Sequence, residues 1–372
     1  MKMYRRSRSQ VATLVLLALV AMASWSLQGS QSGATLPAAG SARMGNSSFS
    51  APAALAGAPG VGVSNTSHPT VVGQSLKNDV SPALRDIKPV PPVARATGRE
   101  ADDKGLRLPI VGHKDVADSV VQTGFGPPGA SVSPMIPSPT GGWDGINMAN
   151  GCGGCQPPDT NGQVGPNHFL QMVNSAFQIW NKSGTSLYGP ANINTVWSGF
   201  GGLCETTNDG DPVALYDQLA NRWLVSQFAF AISGQNPVAP YYQCIAVSQT
   251  ADPTGAWYRY SFLMSNNAFP DYPKLSVWPD AYYMTINSFP DAGGNPTGMP
   301  YAFNRSQMLT GAATTFQTTG GSSDVLLPSN VDGTTLPPAG APAYFLGLGS
   351  GLDFYKFHVD WNNSANTTFT GP

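Results

Sequence analysis

Charge is scarce in this chain. Only 11% of its 372 residues are Asp, Glu, Lys or Arg, and the formal net charge is −2. The 19 Lys and Arg are scattered and form no basic stripe, which argues against nucleic acid as a partner. Histidine is rarer still: His68, His113, His168 and His358 lie far apart. No GxSxG, HExxH or phosphate-loop motif occurs, so the common hydrolase, zinc-protease and nucleotide signatures are missing. Beyond the N-terminus, no apolar run reaches the ~18 residues that a membrane-spanning helix needs. Long helices are excluded by 42 Gly and 33 Pro.

The N-terminus reads as an export signal. Lys2, Arg5, Arg6 and Arg8 form a basic n-region, Val11 to Ala23 an apolar h-region, and Ala21-Met22-Ala23 a small-x-small cleavage site. Residues 1–26 are therefore assigned to a signal peptide; a retained N-terminal anchor is the alternative. The expected location is secreted or extracytoplasmic, with no transmembrane segment in the mature chain. Residues 27–140 are rich in Ala, Gly, Ser and Pro and poor in aromatics. Such a stretch buries too little apolar area to offset ordering entropy, so a disordered stalk or a pro-segment is expected. One apolar patch within it, Leu106 to Val111, could dock back as a strand.

The four cysteines fit disulfides in an exported protein. Cys204 is paired with Cys244, because the first precedes and the second lies inside one four-strand unit. Cys152 and Cys155, in Cys-Gly-Gly-Cys, then pair locally. A zinc half-site and a redox dithiol are the rival readings of that motif. The first lacks nearby ligands, and the second lacks a following helix.

From residue 141 onward the pattern changes. Asp211 to Asp217, Arg222 to Phe230, Tyr241 to Ser248 and Ala256 to Phe262 are short β-branched and aromatic runs separated by polar turns. They predict a four-stranded antiparallel meander. Runs opening at Pro166, Pro212, Pro273 and Pro342 repeat this pattern at blade-like spacing. The expected fold is all-β: a β-propeller of about four blades over residues 141–372, incomplete because the last unit ends without a closing strand. A β-sandwich accounts less well for the repeated opening.

Aspartates gather where the predicted strands start. Asp159, Asn161 and Asp209 are candidate calcium ligands, and Asp211 and Asp271 candidate ligand-binding residues. Two such carboxylates could instead act as acid and base on a glycosidic bond. Turn capping by the same side chains is the structural alternative. The tryptophans recur once or more per unit, which favours packing between sheets over sugar stacking. Among the histidines, His168 is read as a surface residue at a sheet edge.

Four segments carry a family resemblance: PPDTNGQVGPNHFLQMVN, GDPVALYDQLANRWLVSQFAF, CIAVSQTADPTGAWYRYSF and DYPKLSVWPDAYYMTINSF. Together they resemble repeats of large secreted bacterial proteins with sialidase-like or related β-propeller domains. Ser248, Asp252, Gly255 and Trp257 are similar to the turn residues of sialidase Asp-box repeats, with Asp252 before Pro and a different spacing. A sialidase also needs an arginine triad, and Arg222, Arg259 and Arg305 give no reason to form one. The expected function is a binding module whose funnel face takes a glycan, a cell-wall polymer or another extracellular protein. A propeller glycoside hydrolase using carboxylates at the strand starts is the alternative, and a purely structural surface module a third reading.

Overall fold

The computed structural model describes residues 69–92 and 141–372, apart from 152, 154–156, 235, 324, 334 and 349–351. The described chain is all-β, with eighteen strands in four antiparallel sheets. Sheet one is a meander of β3 (Asn161–Val164), β4 (His168–Val173), β5 (Ala176–Asn181) and β6 (Ser186–Asn192). Sheet two runs β7 (Gly210–Asp217), β8 (Arg222–Ser233), β9 (Asn236–Ser248) and β10 (Trp257–Ser265). Sheet three runs β11 (Ala268–Val277), β12 (Ala281–Pro290), β13 (Thr297–Asn304) and β14 (Thr315–Thr318). Sheet four runs β15 (Leu326–Pro328), β16 (Ala343–Leu348), β17 (Leu352–His358) and β18 (Thr368–Thr370).

The sheets stack in chain order, and the sequence shows why. In β8, Trp223 and Val225 join a buried cluster with Leu170, Met172 and Phe177 of sheet one. The alternate residue Leu224 joins Tyr282, Met284 and Phe303 of sheet three. A strand covered on both faces reads as an unbroken apolar run, as RWLVSQFAF does. Sheet three repeats this: Tyr282 faces sheet two, while Tyr283 meets Phe345 and Phe357 of sheet four. In β17 only every second residue is buried, so this strand is covered on one face. Trp197, Trp223 and Trp257 are fully buried between sheets, as packing predicts. Burying each such ring is worth roughly 1.5–3 kcal/mol.

The repeat is real, but its alignment on proline is corrected. Pro212 and Pro273 lie in the first strands of their sheets, whereas Pro166 follows β3 and Pro342 precedes β16, the second strand of sheet four. What the first three sheets share is a positive-φ residue, just before the proline in β7 and β11 and two residues before β3 in sheet one. Asp159, Asp211 and Tyr272 all have positive φ, of 42°, 45° and 55°. The hairpins joining third and fourth strands are a second repeat. Each carries a polar side chain turned back on the backbone: Asn181, Asp252, Asn304 and Asp360. In the sheet-two turn, Ser248 Oγ accepts from Trp223 N at 2.8 Å, and Trp257 Nε1 donates to Pro253 O at 3.0 Å. His168 lies beside this turn, its Nε2 3.7 Å from Asp252 Oδ1.

Residues 69–92 do not fit the expected unstructured stalk. Here β1 (Val71–Gln74) extends the outer edge of sheet three by pairing with β14, and β2 (Lys77–Val80) extends sheet two by pairing with β10. This strap lacks aromatics, so composition hid it. Its stability is borrowed from the sheets: edge hydrogen bonds, Leu84 buried in the core, and a salt bridge. Arg259, 2% exposed, is held bidentate by Asp79 at 2.8 and 2.7 Å, with Nη1 donating to the carbonyls of Val196 and Ser198. The signal peptide, Leu106 to Val111 and the rest of 27–140 lie outside the described residues.

The Cys204–Cys244 disulfide is present, tying the short helix Leu203–Thr206 to β9. Cys152 and Cys155 lie outside the described residues. Among the described residues, no helix is long and apolar enough to cross a membrane.

Candidate functional site

The first strands of sheets one, two and three lie side by side, and the entry to β3, the start of β7 and the middle of β11 bring together a polar cluster. Pro158-Asp159 leads into β3, Gly210-Asp211-Pro212 opens β7, and Asp271-Tyr272-Pro273-Lys274 lies in β11. In β7 and β11 the pairing register slips at these residues. A bulge of this kind frees side chains from the regular alternation and re-aims them.

Asn174, at the end of β4, holds the cluster together. Its Nδ2 donates to Asp159 Oδ2 at 3.0 Å and to Pro157 O at 3.0 Å, while its Oδ1 accepts from Asp211 N at 2.9 Å. Asp211 passes the link on: its Oδ2 accepts from Tyr272 N at 3.0 Å. Three sheets are thus joined through one asparagine and one aspartate. Gly210, with φ of 111°, is required here, because a Cβ on it would overlap the Asn174 amide oxygen.

Lys274 supplies the cluster's positive charge. Its ammonium lies 3.4 Å from the Tyr272 ring centroid. Burial pushes the Lys274 pKa down, and the carboxylates of Asp211, Asp159 and Asp271 oppose that shift. Burial pushes the Asp159 carboxyl up; Lys274 and hydrogen bonds with Asp211 and Asn174 pull it back, and Asp271 adds to the rise. The Tyr272 hydroxyl is raised by burial, then by the same three aspartates. Asp159, Asp271, Tyr272 and Lys274 are half-buried, whereas Asp211 is 8% exposed.

A wall of aromatics stands beside the cluster. The outer ends of β8, β9, β11 and β12 bury Phe228, Phe230, Tyr241, Phe269 and Phe289 together. Phe269 meets Phe230 and Tyr241 edge-on, at 5.1 and 5.5 Å. Asp209 anchors this wall, its Oδ2 accepting from Phe230 N at 2.9 Å.

The structure therefore sorts the sequence candidates. Asp159, Asp211 and Asp271 come together, within the electrostatic reach of Lys274. Asn161 is in β3, where its side chain bonds Pro212 O and Ala214 N and pins sheet one to sheet two. Asp209 caps the aromatic wall. The proposed calcium trio is thus spread over three separate tasks. Among the described residues, no group of three or more His, Cys, Asp or Glu side chains is placed to hold a metal. The positive charge felt by these carboxylates comes from Lys274.

Sequence reasoning missed Asn174, Tyr272 and Lys274. Lys274 did carry a signal: a lysine inside the apolar strand sequence Pro-Lys-Leu-Ser-Val must be paired if it is covered. Asn174 carried none, because its role depends on a partner strand 37 residues away.

The arginines lie elsewhere. Arg259 clasps the strap, Arg305 binds Asp217, and Arg222 bonds the carbonyls of Ala220 and Asn221. A separate pocket of about 300 Å³ lies at the strap's seam, lined by Leu76, Lys77, Phe200, Leu203 and Tyr242. Its lining is mainly apolar, and the Lys77 ammonium is already committed to the Phe200 carbonyl. Compared with protein-family models, curated proteins and solved structures, the chain finds no match.

Proposed function

We propose that this chain is an extracytoplasmic β-propeller-type binding module, related to the sialidase-like propellers its repeats resemble, with its ligand face at the Asp159–Asp211–Asp271–Lys274 cluster. Its ligand is a glycan, a cell-wall polymer or another extracellular protein. One observation carries the reading: three successive sheets each bring a positive-φ residue, at the start of the first strand or at the bulge within it, to the same partly buried polar patch. Non-glycine residues at positive φ cost of order 1–3 kcal/mol each and concentrate where a protein binds or reacts. Consecutive sheets stacked in chain order, each a meander from its first strand, support the propeller reading. The Cys204–Cys244 disulfide fits an oxidising compartment.

The hydrolase alternative fits less well. Asp159 is already committed to the Asn174 side-chain amide, which donates to its Oδ2 at 3.0 Å. Asp211 is also committed to the Tyr272 amide.

A glycan and cell-wall polymer array with the full chain, with and without EDTA, tests this function. The expected result is binding without turnover that EDTA leaves unchanged and Asp211→Ala abolishes. Binding that survives Asp211→Ala at full strength would place the ligand face elsewhere, and released sugar would revive the hydrolase.

A further inference from the structure

One short segment holds the strap and is itself held by the disulfide. The carbonyls of Val196 and Ser198 accept from Arg259, which Asp79 of the strap clasps, at 3.1 and 2.8 Å. The carbonyl of Phe200 accepts from Lys77 of the strap. The Phe200 ring lies against both cations, 4.9 Å from Lys77 Nζ and 5.3 Å from Arg259 Cζ. Glu205 closes the segment into a compact turn, its carboxylate accepting from Gly199 N at 2.8 Å and from Gly201 N at 2.6 Å. The neighbouring Cys204 ties that turn to Cys244 of β9.

The register explains why these contacts meet. Cys244 on β9 stands opposite Ser261 on β10, and Ser261 stands opposite Lys77 on β2. Directly paired residues share a face of the sheet, so this row runs from the disulfide to the strap. It lies on the face of sheet two that meets sheet one, where Cys244 and Cys204 join the same buried cluster. The pocket of about 300 Å³ sits over the row, lined by Cys204, Ser261 and Lys77. Cys244 has no exposed surface, whereas Cys204 is 2% exposed and is the member of the pair at the pocket.

We infer that the Cys204–Cys244 disulfide is a redox latch on the strap: a small dithiol reductant reaches it through the pocket, and opening it frees the 196–205 segment and, with that segment, β2 from the outer edge of β10. The inference stands apart from the ligand face. One thiolate of the dithiol attacks Cys204 Sγ and displaces Cys244 as a thiolate. The second thiol then displaces Cys204, leaving two protein thiols and a cyclic disulfide. β2 is a four-residue edge strand, so losing the anchors of Lys77 and Asp79 removes much of what holds it.

Hydrogen-exchange mass spectrometry of the full chain tests this, in a Cys152→Ser, Cys155→Ser background so that Cys204 and Cys244 give the only thiols. Dithiothreitol should yield two alkylatable thiols while the sheets stay folded, and exchange at β2 should quicken roughly tenfold more than at β1 or β8. Further replacement by Cys204→Ser, Cys244→Ser should give the same pattern without reductant and no change on adding it. Asp217→Ala, which loosens sheets two and three away from the strap, should lack the excess at β2. A disulfide that yields only once the chain unfolds would overturn the access through the pocket. Exchange at β2 that stays slow after reduction, or that rises in step with β8, would overturn the latch.

Discussion

Asp217 offers the sharpest test of how two sheets are joined. It ends β7 with no exposed surface and accepts five hydrogen bonds. Arg305 gives two, at 2.7 and 3.0 Å, and the Tyr282 hydroxyl one at 2.7 Å. The amides of Leu219 and Ala220 give the others, at 3.0 and 3.1 Å. The carboxylate belongs to sheet two, whereas Tyr282 and Arg305 belong to sheet three and the turn that follows β13. In Asp217→Ala, the Arg305 guanidinium, 12% exposed, loses its counter-ion, and the Tyr282 hydroxyl loses its acceptor. Removing one partner of a buried pair costs about 3–5 kcal/mol. Against a net stability of about 5–15 kcal/mol, that is a large fraction. With an m-value of about 3 kcal/mol/M in urea, the unfolding midpoint should fall by roughly 1–1.7 M. Equilibrium urea unfolding followed by tryptophan fluorescence reads this directly. The double variant Asp217→Leu, Arg305→Met should recover much of the loss, because no charge is then stranded. A single-variant shift below about 0.2 M would refute the reasoning, since it would mean that water or another acceptor already serves Arg305.

Other consequences follow from the same contacts. Asp79→Ala should release the strap: hydrogen exchange at β1 and β2 should rise before that of the central sheets, with a stability loss of about 1–3 kcal/mol, tempered by the remaining Arg259 bonds to Val196 and Ser198. Replacing Cys204 and Cys244 by serine opens a link across a sequence separation of 40 residues, which should cost up to about 4 kcal/mol in a chain-entropy account, measured as a lower denaturant midpoint. Asp159 has a folded pKa raised above 3.8, so the folded chain holds that proton more tightly than the unfolded one. Its stabilising contribution is full below 3.8 and is lost as pH rises through the folded value. Stability measured against pH should therefore fall more steeply over that window in the natural chain than in Asp159→Asn, and parallel profiles would contradict the assignment.

Much of sheets two and three was legible because they are buried on both faces. RWLVSQFAF and YYQCIAVS can only be covered strands, and they lie inside β8 and β9 as expected. Edges were harder to read. Asn161–Val164 reads as a Gly-rich loop, yet β4 converts it to a strand by supplying its hydrogen bonds. Thr315–Thr318 and Leu326–Pro328 are short for the same reason, and the strap strands gain order only from the edges they join. The aspartates expected at strand starts were visible from their Pro and Gly neighbours, and Asp159, Asp211 and Asp271 do converge, the last from within β11. What they converge on was not visible. A lysine three residues beyond Asp271 and an asparagine from the end of β4 complete the cluster, and the strands that carry them are brought together only by the stacking of the sheets.

The account's central claim is that the ligand face is built by the entry to β3, the start of β7 and the bulge within β11. Hydrogen-exchange mass spectrometry of the full chain, with and without a bound array-selected ligand, measures this most directly. Added protection should concentrate in residues 157–162, 209–213 and 270–275. Protection confined instead to the strap pocket around Lys77 and Phe200, or to the Asp217 end of the sheets, would contradict it.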